Sequence, residues 1–130
     1  MKVRHLRPGE DWPDTIFMGF EGPNLDREWT WVVEEDSVVQ GGLLACPMHG
    51  VIFLMRLATV VGAPRLAIRS LLDAALQDSK AKGMVGYTTM IDPTTIEGRK
   101  LNKLIKRTGG LQWPRPVVLA FGALAGLERI

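Results

Sequence analysis

The sequence contains little of the chemistry that metal sites and disulfide frameworks need. Its 130 residues include one cysteine, one tyrosine and two histidines. A single thiol, Cys46, excludes an intrachain disulfide framework and a cysteine-rich zinc module, and two histidines are too few for a histidine-rich metal centre. Because a lone thiol requires no oxidation, we expect a reducing, cytoplasmic location and no metal cofactor.

Long hydrophobic runs are also missing. The longest apolar stretch, residues 51–63, is interrupted by Arg56 and is too short to cross a membrane. The first eight residues lack the apolar region of a signal peptide. We therefore expect no membrane partner.

The residues that are present suit an ordinary globular domain. Hydrophobic residues make up 46% of the chain and charged residues 23%, so we expect one domain spanning residues 1–130. The charges are separated along the chain: residues 1–36 carry nine acidic and four basic side chains, and residues 37–130 carry five acidic and twelve basic. Such a molecule could steer an anionic ligand to its basic side, or its solvated faces could simply differ in sign.

Hydrophobic periodicity and turn residues predict the order of the elements. Three strands with hairpin-length turns follow one another and should be antiparallel. Two strand–helix–strand units follow and should give parallel pairing with right-handed crossovers. A T-x-x-E capping box at Thr94 and Glu97 predicts the start of the second of these helices. The predicted strands are Lys2–Arg7, Thr30–Glu35, Val38–Ala45, Val51–Val60, Met84–Ile91, Leu111–Trp113 and Val117–Leu124, and the helices are Glu10–Phe20, Arg65–Lys82 and Thr95–Thr108, with a helical turn at Leu25–Trp29.

Two local stretches accompany this order of elements. The strand end Arg56-Leu57-Ala58-Thr59-Val60 leads into a helix that carries the pair Leu71-Leu72 and ends at Lys80-Ala81-Lys82-Gly83, and the basic helix in Leu101–Gly110 ends in Gly-Gly. In its element order and in these stretches, the chain resembles the GNAT acyltransferase superfamily, whose members transfer an acyl group from coenzyme A.

The resemblance implies an α/β fold with a mixed sheet of about six to seven strands, flanked by three to four helices, in which the fourth and fifth strands splay apart. The pantetheine arm of acetyl-CoA would pair with the exposed strand backbone, and the pyrophosphate would lie at the start of the next helix. The residues implied for cofactor binding are Thr59, Val60, Val61, Arg65, Leu66, Ala67, Ile68 and Arg69.

The loop before that helix departs from the family's signature. The Q/R-x-x-G-x-G/A pattern would place glycines near Leu66 and Ile68, whereas the only nearby glycine is Gly62. Arg65 and Arg69 could supply phosphate affinity through their charge, or a bulky residue at the contact point could block the loop. The direction of the Leu66 and Ile68 side chains relative to the cleft separates these alternatives.

Two side chains are candidates for proton transfer. The family often carries a tyrosine on its last helix, and this chain has none there; its tyrosine, Tyr87, lies in a strand that borders the expected cleft and could protonate the leaving sulfur. Asp92 lies at the carboxyl end of that strand, where α/β clefts open. The alternatives are a core position for Tyr87, with its hydroxyl satisfied, and a turn-forming role for Asp92 before Pro93.

The last helix carries five basic residues and few acidic ones. Steps of three and four place Arg99, Lys103, Lys106 and Arg107 on a shared face. This face could contact the adenosine phosphates of coenzyme A or the phosphates of nucleic acid, or it could simply face solvent. Since no aromatic residues are interleaved with these cations, the pattern does not favour nucleic acid.

The resemblance implies an acyl-CoA-dependent N-acyltransferase that transfers an acetyl group to an amine substrate by direct attack. A backbone amide near Thr59 or Val60 would polarise the thioester carbonyl. The alternative is a non-catalytic GNAT-fold subunit, a pseudoenzyme that binds a protein partner or a second copy of itself. The four tryptophans would belong either to the core or to the centre of such a contact surface; they are Trp12, Trp29, Trp31 and Trp113.

Overall fold

A computed structural model describes residues 1–10, 26–115 and 117–130 of the chain. In this part of the chain the elements form a seven-stranded mixed sheet with two α-helices. The strands are β1 (Lys2–His5), β2 (Thr30–Glu35), β3 (Val38–Met48), β4 (Val51–Thr59), β5 (Gly86–Ile91), β6 (Leu111–Arg115) and β7 (Val117–Ala123), and the helices are α1 (Ala67–Ala81) and α2 (Ile96–Arg107).

The sheet has the predicted mixed α/β class, but only the first strand–helix–strand unit gives parallel neighbours. The prediction for the second unit is wrong, because β7 lies between β5 and β6 and pairs antiparallel with both. Its strand order is β1-β2-β3-β4-β5-β7-β6, with β1 to β4 antiparallel, β4 parallel to β5, and β7 antiparallel to both of its neighbours. Two-residue turns make the hairpins: Asp36 and Ser37 join β2 to β3, and His49 and Gly50 join β3 to β4, all with positive φ. Positive φ at both residues gives the turn that matches the twist of paired strands.

Fewer helices flank the described part of the sheet than the three to four predicted. The predicted helix Glu10–Phe20 lies, apart from Glu10, outside the described residues. The predicted turn Leu25–Trp29 is a 3₁₀-helix at Arg27–Trp29, capped by the Asp26 carboxylate, which accepts from the Glu28 amide.

Strand β3 is longer than predicted. It continues past Ala45 through Cys46 and Pro47 to Met48. Its pairing with β2 ends at Leu44, so Pro47 lies where β4 is the neighbouring strand. A proline is tolerated at such an edge because its missing N–H interrupts no second ladder.

Strands β4 and β5 diverge, as predicted. They pair over Val51–Leu54 and Gly86–Thr89, and beyond Leu54 strand β4 remains paired with β3 alone. The pairing of β3 with β4 skips one residue at the same place, because Leu44 pairs with Arg56 and Ala45 with Leu54. Met55 is therefore the extra residue of a β-bulge, which bends the strand where the two diverge.

Helix α1 supplies the largest apolar face of the core. Ile68, Leu71, Leu72, Ala75 and Leu76 are all buried and pack in one cluster with Trp31, Leu54 and Tyr87 from the sheet. The helix begins at Ala67, two residues after the predicted start, and the Ala67 amide donates to the Pro64 carbonyl. A second, smaller cluster, formed by Leu6, Val32 and Leu44, lies apart from it.

The cap of α2 is Thr95, not Thr94. The Thr95 hydroxyl accepts from the Gly98 amide, whereas the Thr94 amide and hydroxyl donate to the Asp92 carboxylate. The T-x-x-E pattern fits Thr94 alone, but the turn formed by Asp92 takes up the Thr94 amide and hydroxyl and leaves the hydroxyl of Thr95 as the cap. A Cβ atom on Gly98 would lie 1.8 Å from the Asp92 carbonyl oxygen, so the first turn of α2 packs directly against the end of β5.

The segment after β7 lies along α1. Four polar side chains, one from each successive turn of α1, hold the backbone of this C-terminal segment, residues 124–130. Arg69 donates to the Ile130 oxygen, Asp73 accepts from the Ile130 amide, Gln77 donates to the Glu128 carbonyl and Lys80 donates to the Leu127 carbonyl.

Candidate functional site

The divergence of β4 and β5 opens a cleft of about 430 Å³. Residues of β4 form one wall, the end of β5 forms the other, and the first turns of α2 close one side. The lining residues are Leu43, Leu54, Met55, Arg56, Leu57, Ala58, Thr59, Thr89, Met90, Ile91, Asp92, Thr95, Glu97, Gly98 and Leu101.

The backbone of β4 is available along this cleft. The Val60 amide donates to the Gln40 carbonyl at 2.9 Å, so it points toward β3. Since backbone groups alternate in direction along a strand, the neighbouring Thr59 amide points toward the cleft. Of the two amides considered from the sequence, the Thr59 amide is therefore the free one, and the Val60 amide is occupied.

The loop between β4 and α1 leaves unpaired amides at the start of the helix. Val61 is fully exposed, and Gly62 has φ of +80°. Within the described ranges, the amides of Ile68 and Arg69 donate to no protein acceptor, whereas the Ala67 amide is bonded to Pro64. Free first-turn amides at the positive end of a helix dipole suit a phosphate group.

The two bulky residues at the family's glycine positions do not fill the cleft. The Ile68 side chain is 3% exposed and packs in the core, and the Leu66 side chain is 56% exposed on the outer surface. Neither residue lines the space between β4 and β5. The structure therefore places neither side chain between the two strands, and the exposed Leu66 stays beside the start of the helix.

The two arginines of this region have different environments. Arg65 lines a groove between α1 and α2. The Arg69 guanidinium borders the same groove but donates twice to the Ile130 oxygen, at 3.0 and 2.7 Å. Arg65 is therefore free to meet an anion, whereas Arg69 is shared with the C-terminal segment.

The Tyr87 side chain is not in the cleft. It is 2% exposed, and its hydroxyl lies 2.9 Å from the Thr108 hydroxyl. Cβ atoms on Gly110 or Gly122 would lie within 2.8 Å of the Tyr87 side chain, so two glycines make room for the ring. Burial raises the pKa of Tyr87. This is the core position that the sequence left open as the alternative to proton transfer.

The Asp92 carboxyl is exposed at the carboxyl end of β5 and lines the cleft. Its Oδ1 accepts from the Thr94 hydroxyl at 2.6 Å and from the Thr94 amide at 2.9 Å. The hydroxyl bond, followed by the amide bond, lowers the pKa of Asp92. The carboxylate is thus ionised at neutral pH and is a weak base, suited to attracting a cation.

Two other polar residues at the cleft were not predicted as site residues. Glu97, assigned from the sequence to a capping box, lines the mouth from the first turn of α2. Thr89 is buried where the strands diverge, and its hydroxyl donates to the Leu54 carbonyl at 2.9 Å. Glu97 follows closely after a strand that ends at the cleft, and this position could have identified it as a site residue. For Thr89 the sequence contained no such signal.

The basic face of α2 also differs from the prediction. Lys100, Lys103 and Arg107 line the groove that faces α1. Arg99 donates instead to the Thr94 carbonyl, and Lys106 is exposed outside the groove. The predicted face included Arg99 and Lys106 and omitted Lys100, because helix periodicity alone does not fix which side packs.

The tryptophans that can be located do not form a contact surface. Trp29 is 7% exposed and Trp31 is 2% exposed, and their rings meet edge to face at 6.2 Å. The Lys82 ammonium lies 4.4 Å from the Trp29 ring centroid and covers the pair. These two residues therefore belong to the core, which is one of the two roles open to them from the sequence. Trp12 and the Trp113 side chain lie outside the described residues.

Two kinds of site are not found in the described ranges. No described helix is both long and apolar enough to pass through a bilayer. Among residues 1–10, 26–115 and 117–130, no group of three or more His, Cys, Asp or Glu side chains is placed to hold a metal ion.

Solved structures of N-acetyltransferases share this architecture. Ard1 from Thermoplasma volcanium superposes with a TM-score of 0.71 at 13% identity, over 94% of this chain and 96% of that one. The ribosomal-protein-S18-alanine N-acetyltransferase from Escherichia coli gives 0.70 at 9% identity, over 95% and 93%. Diaminobutyrate acetyltransferase EctA from Paenibacillus lautus, solved with L-2,4-diaminobutyric acid and coenzyme A, gives 0.61 at 12% identity, over 75% and 72%.

Sequence comparison adds nothing to this likeness, since no protein-family model and no curated protein matches the chain. The fold assignment therefore depends on three-dimensional similarity and on the divergence of β4 and β5. On both grounds, the chain has the fold of the GNAT N-acetyltransferases.

Proposed function

We propose that this protein is an acyl-CoA-dependent N-acyltransferase that transfers an acetyl group to an amine. The observation that carries the proposal is the cleft in which one edge of β4 is unpaired and leads to free amides at the start of α1. The similarity to solved acetyltransferases, one of them in complex with coenzyme A, supports the same reaction class.

The cleft suits the two polar parts of acetyl-CoA. The pantetheine arm would lie along Leu57–Thr59 and bond to the free strand edge, as an added strand does. The pyrophosphate would follow at the amides of Ile68 and Arg69, with Arg65 supplying charge. Val60, Val61, Leu66 and Ala67 would shape the turn between these two contacts.

The Thr59 amide is the group best placed to polarise the thioester carbonyl. An N–H donor that is already fixed by strand geometry stabilises the negative charge that develops on this oxygen during attack. The amine nitrogen would attack the carbonyl carbon, and the carbon–sulfur bond would break as the tetrahedral intermediate collapses. The product would be an amide and the thiolate of coenzyme A.

Proton transfers complete the reaction. Asp92 and Glu97 would hold the incoming ammonium group by its positive charge at the open mouth of the cleft, where it would lose one proton to water before the attack. The nitrogen would lose a second proton to water as the amide forms. The thiolate would take its proton from solvent, because the buried Tyr87 hydroxyl does not line the cleft. Asp92 therefore attracts and positions the acceptor and is not assigned as a strong base.

We further propose that residues 1–130 act as a single domain in the cytoplasm. Every described strand belongs to one sheet, and the Cys46 thiol is unpaired.

Thermal unfolding with and without acetyl-CoA tests the proposal. A ligand at one hundred times its Kd stabilises the folded state by about 2.7 kcal/mol, which raises the Tm of a domain of this size by several degrees. Acetyl phosphate, which has an acyl group but no pantetheine, is the control ligand and should cause no shift. Absence of a shift at millimolar acetyl-CoA would overturn the proposal.

The position of Tyr87 favours one other function, a non-catalytic GNAT-fold subunit that binds acyl-CoA or a protein partner. No tyrosine or cysteine side chain lines the described cleft, so an obvious donor for the leaving thiolate is missing. Thiol release from acetyl-CoA in the presence of primary amines separates the two functions. Binding without release for any amine would favour the non-catalytic subunit.

A further inference from the structure

Two methionines lie at the point where β4 and β5 diverge. Leu54 and Thr89 form the last pair of the parallel ladder, and the next residue on each strand is a methionine, Met55 on β4 and Met90 on β5. Both residues line the cleft, one on each wall. The narrow end of the cleft is therefore bounded on two sides by thioether side chains.

Both methionine side chains are open to solvent. Met55 is 41% exposed and Met90 is 60% exposed, and neither belongs to a hydrophobic cluster of the described core. Their neighbours on β5, Thr89 and Ile91, are buried. One exposed methionine is ordinary on a protein surface, but two at the same level of a cleft form an apolar surface that a ligand can cover.

The residue type and the backbone both suit contact with a flexible apolar group. Methionine has an unbranched side chain with three rotatable bonds, so it adapts its shape to different apolar partners. Met55 is also the extra residue of the β-bulge, and bulges next to binding sites commonly redirect a side chain. Both walls at this point are therefore apolar and adaptable.

The charges farther along the cleft complement an ammonium group. The Asp92 carboxylate follows Met90 by two residues, about 7 Å in an extended chain, and Glu97 lines the cleft from the first turn of α2. Arg56, the one cation among the described lining residues, already has interactions within the chain. A ligand with one ammonium group and an apolar chain would meet carboxylates at one end and methionines at the other.

We propose that the acceptor is a primary amine with an unbranched apolar chain, and that Met55 and Met90 determine this specificity. The inference rests on the proposed function and names the chemical class of its acceptor. Asp92 and Glu97 attract the ammonium group, and the apolar chain covers the two methionines. A second ammonium group at the far end of the chain would lose its hydration against thioethers that offer it no charge in return.

Two amines of matched size test this class. Hexylamine and cadaverine have the same number of non-hydrogen atoms, and they differ in whether the far end is a methyl group or a second ammonium group. Calorimetric titration measures their Kd for the protein saturated with coenzyme A, which has no acetyl group, so that no reaction occurs. Thiol release from acetyl-CoA then measures kcat/KM for the same two amines.

Four variants test the role of the two methionines. Met55→Gln and Met90→Gln remove the apolar thioether and keep the approximate length of the side chain. Met48→Gln is the matched control, because Met48 is 46% exposed and does not line the cleft. Met90→Leu keeps an apolar side chain at the cleft. Circular dichroism and Tm establish that each variant folds.

The unmodified chain should bind hexylamine roughly tenfold more tightly than cadaverine, a factor that burial of one to two methylene groups supplies. Met55→Gln and Met90→Gln should each reduce this preference to about twofold or less, whereas Met48→Gln and Met90→Leu should retain it. Propylamine should bind more weakly than hexylamine, by up to roughly fourfold for each missing methylene group. This last comparison requires no substitution, so it tests the inference even if the glutamine variants fail to fold.

Other outcomes separate the failures. Equal binding of hexylamine and cadaverine, tighter binding of cadaverine, or equal binding of hexylamine and propylamine would overturn the apolar class and leave the proposed function intact. An unchanged preference in both cleft variants, or an equal loss in Met48→Gln, would overturn the role of Met55 and Met90. Absence of stabilisation by acetyl-CoA would overturn the proposed function, and the inference with it.

Discussion

At the scale of single residues, a substitution of Tyr87 can show whether its hydroxyl has a structural role or takes part in the reaction. Tyr87→Phe removes the hydroxyl that meets Thr108 but keeps the ring between Gly110 and Gly122. We expect the free energy of unfolding to fall by about 1 kcal/mol, because one buried hydrogen bond is lost. Acyl transfer should be retained, which denaturant unfolding and thiol-release assays will measure. A large loss of turnover in a fully folded variant would contradict this and restore Tyr87 as a proton donor.

The environment of Glu10 leads to a second prediction at the residue scale, which concerns the dependence of stability on pH. Its carboxylate receives two bonds of 2.8 Å from the Arg4 guanidinium, which, together with the Arg7 amide, lower the pKa of Glu10 from 4.5 to about 2. A group with a lowered pKa stabilises the fold above its unfolded pKa, and this contribution disappears as pH falls through the folded value. Glu10→Gln should therefore weaken the dependence of stability on pH between 4.5 and 2. Urea unfolding at several pH values measures this, and an unchanged slope would contradict it.

At the scale of the elements, sequence periodicity predicted the strands and helices well because each carries local signals. The hairpin turns and the apolar stripe of α1 are determined by residues that lie close together in the sequence. The errors lie where contacts between elements decide. Thr95 replaces Thr94 as the cap because Asp92 captures Thr94, and β3 extends through Pro47 because β2 ends earlier.

The C-terminal segment is an element-scale feature that the sequence did not reveal. Its backbone is held by side chains of α1, and hydrogen bonds to a backbone leave no pattern in the partner sequence. Asp73→Asn weakens the charged acceptor of the Ile130 amide and the ion pair with Arg129. We expect faster hydrogen exchange of the amides in residues 127–130 with little change in the core of α1. Exchange mass spectrometry checks this, and Glu97→Gln, at the cleft, is the charge-matched control.

At the scale of the whole molecule, the separation of charge along the chain has a spatial counterpart. The groove cations all come from residues 65–107, within the basic part of the sequence. If acetyl-CoA binds there, its association constant should fall as salt concentration rises, because screening weakens attraction between exposed charges. Titration at about 50 and about 500 mM salt measures the change, and binding that is independent of salt would contradict the charge argument.

The site could be predicted from the sequence only in outline. The order of elements placed the cleft between two particular strands, and Thr59 and Asp92 do line it. The sequence could not show that Val60 donates to Gln40 or that Tyr87 is enclosed by two glycines. These facts depend on register and on packing between distant segments, which no local pattern encodes.

The bulge at Met55 determines which side chains of β4 face the core on either side of it. Leu54 and Leu57 are three residues apart, yet both pack in the main core, which a regular strand allows only for even separations. The extra residue places Leu57 on the same face of the strand as Leu54, and it also bends the strand away from β5. Deleting Met55 would leave both leucines facing the core and straighten β4, so the deletion should preserve stability in large part and close the cleft to acetyl-CoA.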